Sequence, residues 1–194
     1  LVALKPGPGP EALAGVGAPK RRKALETQKV NQGRRALGVL AAAALLLAAD
    51  QVTKQYVLEY LKPVGSVGVI PGLLDFSYVE NTAAAMGLFG GMIWLVVGVT
   101  CATCLGIVVL LFRYRRHTLF SLATSALLLA GGLGNLVDRV RLGYVVDFIH
   151  VLFFPYVFNV ADCCVTVGAV CFVLHHILLS RREKEEASAA GGEG

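Results

Sequence analysis

The chain contains four apolar stretches that are long enough to cross a lipid bilayer, and this property restricts its fold more than any other. We predict spans at residues 36–58, 92–112, 118–137 and 156–179. A transmembrane helix needs about 20 predominantly apolar residues to cross the hydrocarbon core. The composition, with 56% hydrophobic and 16% charged residues, is also far more apolar than that of a soluble domain. The sequence therefore predicts a membrane all-α protein with four transmembrane helices.

The distribution of Lys and Arg predicts the orientation of these helices. Of the 18 basic residues, 14 precede the first stretch, separate the second from the third, or follow the fourth. Because Lys and Arg concentrate in cytoplasmic segments, both termini are predicted to be cytoplasmic. The basic residues adjoin apolar runs and are not interleaved with exposed aromatic residues, so we expect no nucleic-acid partner.

Composition divides the chain into three parts. Residues 1–35 combine Pro, Gly and Ala with basic residues but lack the periodicity of a packed element, which predicts a flexible basic cytoplasmic tail. Residues 36–180 form the predicted membrane domain, and residues 181–194 a second flexible, charged cytoplasmic tail. Within the membrane domain, residues 60–91 contain Pro and Gly around β-prone runs at 66–70 and 73–80, which predicts a small extracytoplasmic β-sheet or hairpin.

Polar residues from distant parts of the chain are predicted to meet at the outer face of the membrane. The predicted topology brings Asp50, Asn81, Asp138, Asp147 and Asp162 to that face. Ionisable groups near membrane depth are energetically costly, so a cluster of them indicates a functional site.

Local spacing predicts how several of these groups are arranged. Asp50 and Lys54 lie one helical turn apart and are expected to pair with each other or with another buried group. Asn135 shares a helix face with Asp138 and Arg139 if the third helix continues through Gly134. We also expect adjacent Asp138 and Arg139 to form an ion pair.

The chemistry of paired carboxylates favours an aspartic protease. Two carboxylates held close together resist simultaneous ionisation, so one retains a proton and the other can accept a proton from water. Asp147 lies among large apolar residues, which should raise its pKa by desolvation. Spacing alone leaves open which two of Asp50, Asp138, Asp147 and Asp162 form the catalytic pair.

The order of the polar motifs resembles that of the signal peptidase II, or lipoprotein signal peptidase, family. The motifs are Asp50-x-x-Thr53-Lys54, Asn81 in an Ala-rich run, Gly134-Asn135-x-x-Asp138-Arg139, Val146-Asp147-Phe148 and Phe158-Asn159-x-Ala161-Asp162. The resemblance covers roughly residues 36–180, and five motifs in one order are far more specific than any one of them.

The resemblance implies a catalytic dyad of Asp147 and Asp162, without a metal or other cofactor. It also implies a set of residues that shape the site, namely Asp50, Lys54, Asn81, Gly134, Asn135, Asp138, Arg139, Asn159 and Ala161. The implied substrate is a bacterial prolipoprotein carrying diacylglycerol on its lipobox cysteine, cut just before that cysteine at the outer face of the inner membrane. The chain is expected to act there as a multi-pass monomer in contact with membrane lipid.

The chain departs from the family pattern after Asn81. The family motif continues with glycine and an aromatic residue at the positions of Ala83 and Met86. Alanine lacks the freedom of glycine to adopt positive φ, and methionine is more adaptable than an aromatic ring. We therefore expect the change to affect substrate fit rather than activity.

Two other functions remain as alternatives. Asp147, His150 and Asp162 are plausible zinc ligands of a metal-dependent membrane protease, although no familiar ligand spacing supports this. Buried carboxylates could instead relay protons in a proton-coupled membrane transporter.

Overall fold

A computed structural model describes residues 18–82, 93–113 and 117–191. Its helices are α1 (Ala18–Tyr56), α2 (Ile93–Arg113), α3 (Leu119–Leu142) and α4 (Val160–Gly191), and a π-helical turn (Val57–Leu61) extends α1. Its strands are β1 (Ser66–Ile70), β2 (Leu74–Asn81), β3 (Val145–Val151) and β4 (Val157–Phe158). The predicted class, four transmembrane helices with a small β-sheet, is confirmed.

Each of the four helices contains a stretch that is long and apolar enough to cross a membrane. Within the described residues these stretches are Val30–Leu61, Ile93–Arg113, Leu119–Leu142 and Val160–Ile177. The predicted spans overlap all four. The first span is longer than predicted at both ends, and it continues through Asp50 and Lys54 as expected, where the two side chains form a buried ion pair.

Helix α1 begins at Ala18 and α4 continues to Gly191, so residues 18–35 and 181–191 are helical. The prediction of flexible tails did not include these helices. They contain Lys, Arg, Glu, Gln and Ala, which favour helix formation even without an amphipathic pattern. An amphipathic period arises only where one face of a helix is buried, so a helix without that period gives no such signal in the sequence.

Helix α3 is the centre of the helical bundle, and it packs against α1, α2 and most extensively α4. Small side chains make this packing close: Ala36, Ala43, Ala126 and Ala130 are all buried in the cluster that joins α1, α2 and α3. Small residues at helix interfaces allow backbones to approach, which is how membrane helices associate without a hydrophobic driving force.

The four strands form one antiparallel sheet in the order β1-β2-β3-β4. The predicted hairpin corresponds to β1 and β2, whose turn contains Gly72 at φ +74°. The sequence did not predict β3 and β4: β3 pairs with β2, which is remote in the chain, and β4 is a two-residue strand that pairs with β3. Val57 and Leu61 of the π-helical turn pack against Val146 and Phe148, which attaches the sheet to the end of α1.

A tight turn connects α3 to β3 and sets the position of the site. Thr118 and Ser121 form a capping box at the start of α3, and Gly143, which follows the last residue of the helix, has φ +82°. This left-handed conformation favours glycine at the end of a helix. Only Tyr144 then precedes β3, so the last turn of α3 lies directly against the first residues of that strand.

Candidate active site

The polar side chains of five elements converge where the sheet meets the helix ends. Asp50 and Lys54 come from α1, Asn81 from β2, Asn135 and Asp138 and Arg139 from α3, Asp147 from β3, and Asn159 and Asp162 from the start of α4. Hydrogen bonds connect residues as far apart in sequence as Asp50 and Ala161. The structure therefore brings together all the polar residues that the sequence predicted for the site.

Lys54 is the buried centre of one half of the cluster. Its Nζ lies 2.9 Å from Asp50 Oδ2 and 2.9 Å from Asp138 Oδ2, and it donates to Asn135 Oδ1 at 3.1 Å. An ammonium group has three N–H donors, so every donor has an acceptor. Two carboxylates and one amide oxygen thus compensate a charge that is only 2% exposed.

Asp50 and Asp138 also hold the backbone of neighbouring elements. Asp50 Oδ1 accepts from Ala161 N at 2.8 Å, at the N-terminus of α4, where the helix dipole favours a negative charge. Asp138 Oδ2 accepts from Val146 N at 3.1 Å in β3. These two carboxylates therefore fix the positions of the segments that carry the remaining aspartates.

Asp138 forms its ion pair with Lys54, and the predicted Asp138–Arg139 pair is not among the ion pairs of the described residues. Neighbouring helix residues point about 100° apart, so Asp138 faces α1 while Arg139 lies beside it. Arg139 Nη1 instead donates to Asn135 O at 3.3 Å, and its positive charge acts on Asp162 and Asp147.

Gln51 belongs to the site although the sequence analysis did not select it. Its Nε2 lies 3.2 Å from Asp50 Oδ2, 3.2 Å from Gly134 O and 3.1 Å from Asp138 Oδ1. It thereby bridges the two carboxylates that flank Lys54. Its position next to Asp50 in the sequence was the available signal, but a glutamine inside an apolar run gives no indication of its partners.

Two asparagines connect Lys54 to the other two aspartates. Asn135 accepts from Lys54 and donates through Nδ2 to Asp162 Oδ1 at 2.7 Å. Asn159 is fully buried, and its Nδ2 donates to Asp147 Oδ1 at 2.6 Å and to Asn135 Oδ1 at 3.1 Å. Asn159 contacts both Asp147 and Asp162, so it fixes these two carboxyl groups relative to each other.

Asp162 occupies the first turn of α4. Asp162 N donates to Asn159 Oδ1 at 2.9 Å, and Asn159 N donates to Asp162 Oδ2 at 3.3 Å. This reciprocal pattern has the geometry of a capping box, in which two otherwise unpaired N–H groups of the helix end are satisfied. Asp162 therefore lies three residues after Asn159, in the first turn of α4, and its side chain remains only partly buried.

Asp147 is almost completely buried and has a raised pKa. Burial raises the pKa of this carboxyl group from 3.8 to about 6, and the negative charge of Asp162 acts in the same direction. Hydrogen bonds from Asn81 Nδ2, at 2.8 Å to Oδ2, and from Asn159 oppose the shift by stabilising the carboxylate. The desolvation predicted from the apolar sequence around Asp147 is therefore present.

Gly134 and Ala161 form the close contact of α3 with α1 and α4. A Cβ added to Gly134 would lie 2.6 Å from Asp50 Oδ2 and 2.9 Å from the Ala161 side chain. Only glycine fits this position without displacing Asp50. Both residues therefore belong to the site through packing.

The alternative zinc site is not assembled. Within the described ranges no three His, Cys, Asp or Glu residues are grouped closely enough to hold a metal ion. Asp147 and His150 are three residues apart in β3, and residues at odd spacing point to opposite faces of a strand.

Ala83 and Met86, where the chain departs from the family pattern, lie outside the described residues.

Comparison with known proteins identifies the family of the chain. A model of the signal peptidase II family matches residues 42–178. The lipoprotein signal peptidase of Caldanaerobacter subterraneus subsp. tengcongensis is 40% identical over 131 residues, which cover 68% of this chain and 90% of that protein. The lipoprotein signal peptidase of Symbiobacterium thermophilum is 38% identical over 148 residues, covering 74% and 95%.

Solved structures show the same fold. A bacterial membrane enzyme determined by the in meso method at 2.3 Å has a TM-score of 0.68 and 31% identity to this chain, covering 76% of this chain and 92% of its own. A second, determined at 1.9 Å, has a TM-score of 0.65 and 31% identity, covering 71% and 91%. Since the family model covers more than half of the chain and the relatives align over most of their length, the chain belongs to the signal peptidase II family and is a multi-pass membrane peptidase.

Proposed function

We propose that this peptidase is an aspartic endopeptidase that removes the signal peptide from diacylglyceryl-modified bacterial prolipoproteins by cutting just before the lipidated cysteine. Asp147 and Asp162 are its catalytic dyad. The observation that carries this choice is the division of the four carboxylates. Asp50 and Asp138 are bound by Lys54 and by backbone N–H groups, whereas asparagine amides and the Asn159 backbone hold Asp147 and Asp162.

The charges of the cluster support a proton shared by the dyad. Among the described residues, the cluster holds four carboxylates and two cations, Lys54 and Arg139. Full ionisation would leave two uncompensated negative charges in a largely desolvated site, which is unfavourable. One proton on the dyad removes half of this excess charge.

The different environments of the two aspartates divide their roles. Asp147, which is buried and has a raised pKa, carries the shared proton and hydrogen-bonds the oxygen of the scissile carbonyl. Asp162, whose side chain is less buried, takes a proton from the attacking water. The water oxygen bonds to the carbonyl carbon, the C–N bond breaks, and the cysteine amine leaves with a proton from the dyad. Neither a metal nor a cofactor enters these steps.

The distribution of charge supports the location of the enzyme. An even number of spans, four among the described residues, supports both chain ends lying on one side of the membrane, and the concentration of Lys and Arg near those ends favours the cytoplasm. The carboxylate cluster then lies at the extracytoplasmic face of the bacterial inner membrane. The enzyme acts there as a monomer among membrane lipids, and its relatives' name, lipoprotein signal peptidase, supports a prolipoprotein substrate.

The substrate class is tested by incubating the purified protein with diacylglyceryl-modified and unmodified forms of the same prolipoprotein. We expect cleavage of the modified form before the cysteine, much slower cleavage of the unmodified form, and no inhibition by a chelator. Equal cleavage of both forms would contradict the substrate assignment, and loss of activity with the chelator would contradict the mechanism. Proton flux into liposomes without any cleavage would favour a transporter instead.

A further inference from the structure

Two turns at one end of the sheet form an exposed apolar surface, which we call the apolar tip. It comprises residues 70–73, between β1 and β2, and residues 152–156, between β3 and β4. Its exposed apolar side chains are Ile70, Leu73, Leu152, Phe153, Phe154 and Tyr156. Leu152 N donates to Leu73 O at 3.0 Å, so a backbone hydrogen bond joins the two turns into one surface.

The composition of the apolar tip is unusual for a surface in contact with water. No Asp, Glu, Lys or Arg occurs in residues 63–74 or 151–161. Phe153 is 79% exposed, more than any other large hydrophobic side chain in the described part of the chain, including those of the spanning helices. Contiguous exposed apolar patches mark surfaces that contact a protein or a membrane.

The position of the apolar tip favours the membrane. The Phe154 ring centroid lies 5.5 Å from that of Tyr156 and 6.2 Å from that of Phe158. Phe158 is two residues from Val160, the first residue of the spanning segment of α4. An extended residue spans at most ~3.6 Å, so this aromatic group lies within roughly 15 Å of the point where α4 enters the bilayer. Aromatic side chains are enriched at this depth, where their rings contact both lipid and headgroups.

We propose that the apolar tip docks into the bilayer surface on the sheet's side of the membrane, with Phe153 inserted among lipid acyl chains. Lipid is the occupant because the aromatic cluster leads directly into α4, whose spanning segment exposes apolar side chains such as Val165, Val170 and Phe172. Docking at the distal turns holds the sheet against the membrane while Asp147, in the middle of β3, remains beside the helix ends. The proposal depends on the membrane character of the chain and not on its catalytic mechanism.

The test uses tryptophan fluorescence of the full chain in nanodiscs. Trp94 is the chain's one tryptophan and is 71% exposed on a spanning helix, so it provides a lipid-embedded standard. In a Trp94→Phe background, Phe153→Trp and Leu73→Trp each place one probe on the apolar tip without disturbing buried packing. Phospholipids brominated on the acyl chains quench a tryptophan that is embedded in lipid, and aqueous acrylamide quenches one that is in water.

We expect both probes to have blue-shifted emission, quenching by brominated lipids comparable with that of Trp94, and little quenching by acrylamide. Red-shifted emission with strong acrylamide quenching at either position would overturn the proposal. Protection of the probes from acrylamide quenching that occurs only at a high protein-to-lipid ratio would assign the surface to a second copy of the chain. A blue shift only after addition of a prolipoprotein would assign it to the substrate. Either of these last two results would also overturn the proposal.

Discussion

At the scale of single residues, Lys54 organises the supporting half of the site. Its three acceptors come from α1 and α3, and two of them also hold the start of α4 and of β3. A buried ion pair contributes little net stability when complete, but removal of one partner leaves an uncompensated charge. Lys54, Asp50 and Asp138 are therefore expected to matter first for assembly.

Replacement of Asp138 tests this role. Asp138→Asn removes the charge that faces Lys54 and places an amide where a carboxylate accepts from Val146 N, so we expect a loss of roughly 3–5 kcal/mol in unfolding free energy. Thermal unfolding in detergent measures the change. Glu80→Gln is the matched control, because its ion pair with Lys62 is exposed to solvent and should contribute little to stability. A fully stable but inactive Asp138→Asn variant would place Asp138 in the mechanism instead.

The raised pKa of Asp147 predicts a pH dependence of stability. Between the unfolded pKa of 3.8 and the folded pKa of about 6, the folded protein binds more protons than the unfolded chain. Stability is therefore highest at low pH and falls as pH rises through this window, by on the order of 2–3 kcal/mol in total. Other groups also titrate, so the unfolding temperatures of wild type and Asp147→Asn are compared from pH 4 to 8.

The variant lacks this titration, so its stability relative to wild type should increase with pH over that range. The constant offset from its altered hydrogen bonds does not affect the slope. A difference that is independent of pH would show that Asp147 has an ordinary pKa in the folded protein.

At the scale of elements, a helix or strand can be predicted from the sequence when the pattern that specifies it lies within a few neighbouring residues. The hydrophobic stretches and the Pro- and Gly-bounded hairpin are encoded within a few residues, and both were predicted. The paired residues of β2 and β3 lie 64 to 77 positions apart in the sequence, and Gln51 acquires its role only when α1 meets α3. The Asp50–Lys54 pairing could be predicted from the helical spacing of the two residues. The pairing of Asp138 with Lys54, and not with Arg139, could not be predicted in this way, because it depends on how α3 is rotated about its axis.

The contact of α3 with its neighbours can be tested at Gly134. The Cβ of Gly134→Ala would overlap the Asp50 carboxylate, and such overpacking costs about 1–3 kcal/mol. We expect a lower unfolding temperature and reduced peptidase activity, because Asp50 holds the N-terminus of α4. Gly106→Ala is the control, since it lies within a spanning helix and its Cβ meets no atom within 4 Å. Equal effects of the two substitutions would argue against tight packing at Gly134.

At the scale of the whole molecule, charge asymmetry and four spans predict the orientation in the membrane. The prediction can be tested with a reporter protein that is active only outside the cytoplasm. The reporter should be inactive when it is fused after the C-terminal residue and active when it is inserted in the β1–β2 turn. The physical reason is the enrichment of Lys and Arg near both chain ends. The reverse pattern would place the carboxylate cluster on the cytoplasmic side and contradict the proposed location.

The family and the fold could be predicted from the order of the motifs. The different roles of the four aspartates could not be predicted from the spacing of these residues in the sequence. Those roles depend on which carboxylates meet Lys54 and which meet Asn159, and both contacts join distant parts of the chain. The resemblance selected Asp147 and Asp162, and the hydrogen bonds now supply a physical reason for that choice.

The central claim is tested most directly by measuring cleavage of a diacylglyceryl-modified prolipoprotein by Asp147→Asn and Asp162→Asn, each purified in folded form. Each substitution removes an ionisable group of the dyad while keeping nearly the same shape. We predict that both variants bind the substrate and that neither cleaves it above background. Substantial cleavage by either folded variant would contradict the assignment of Asp147 and Asp162 as the catalytic pair.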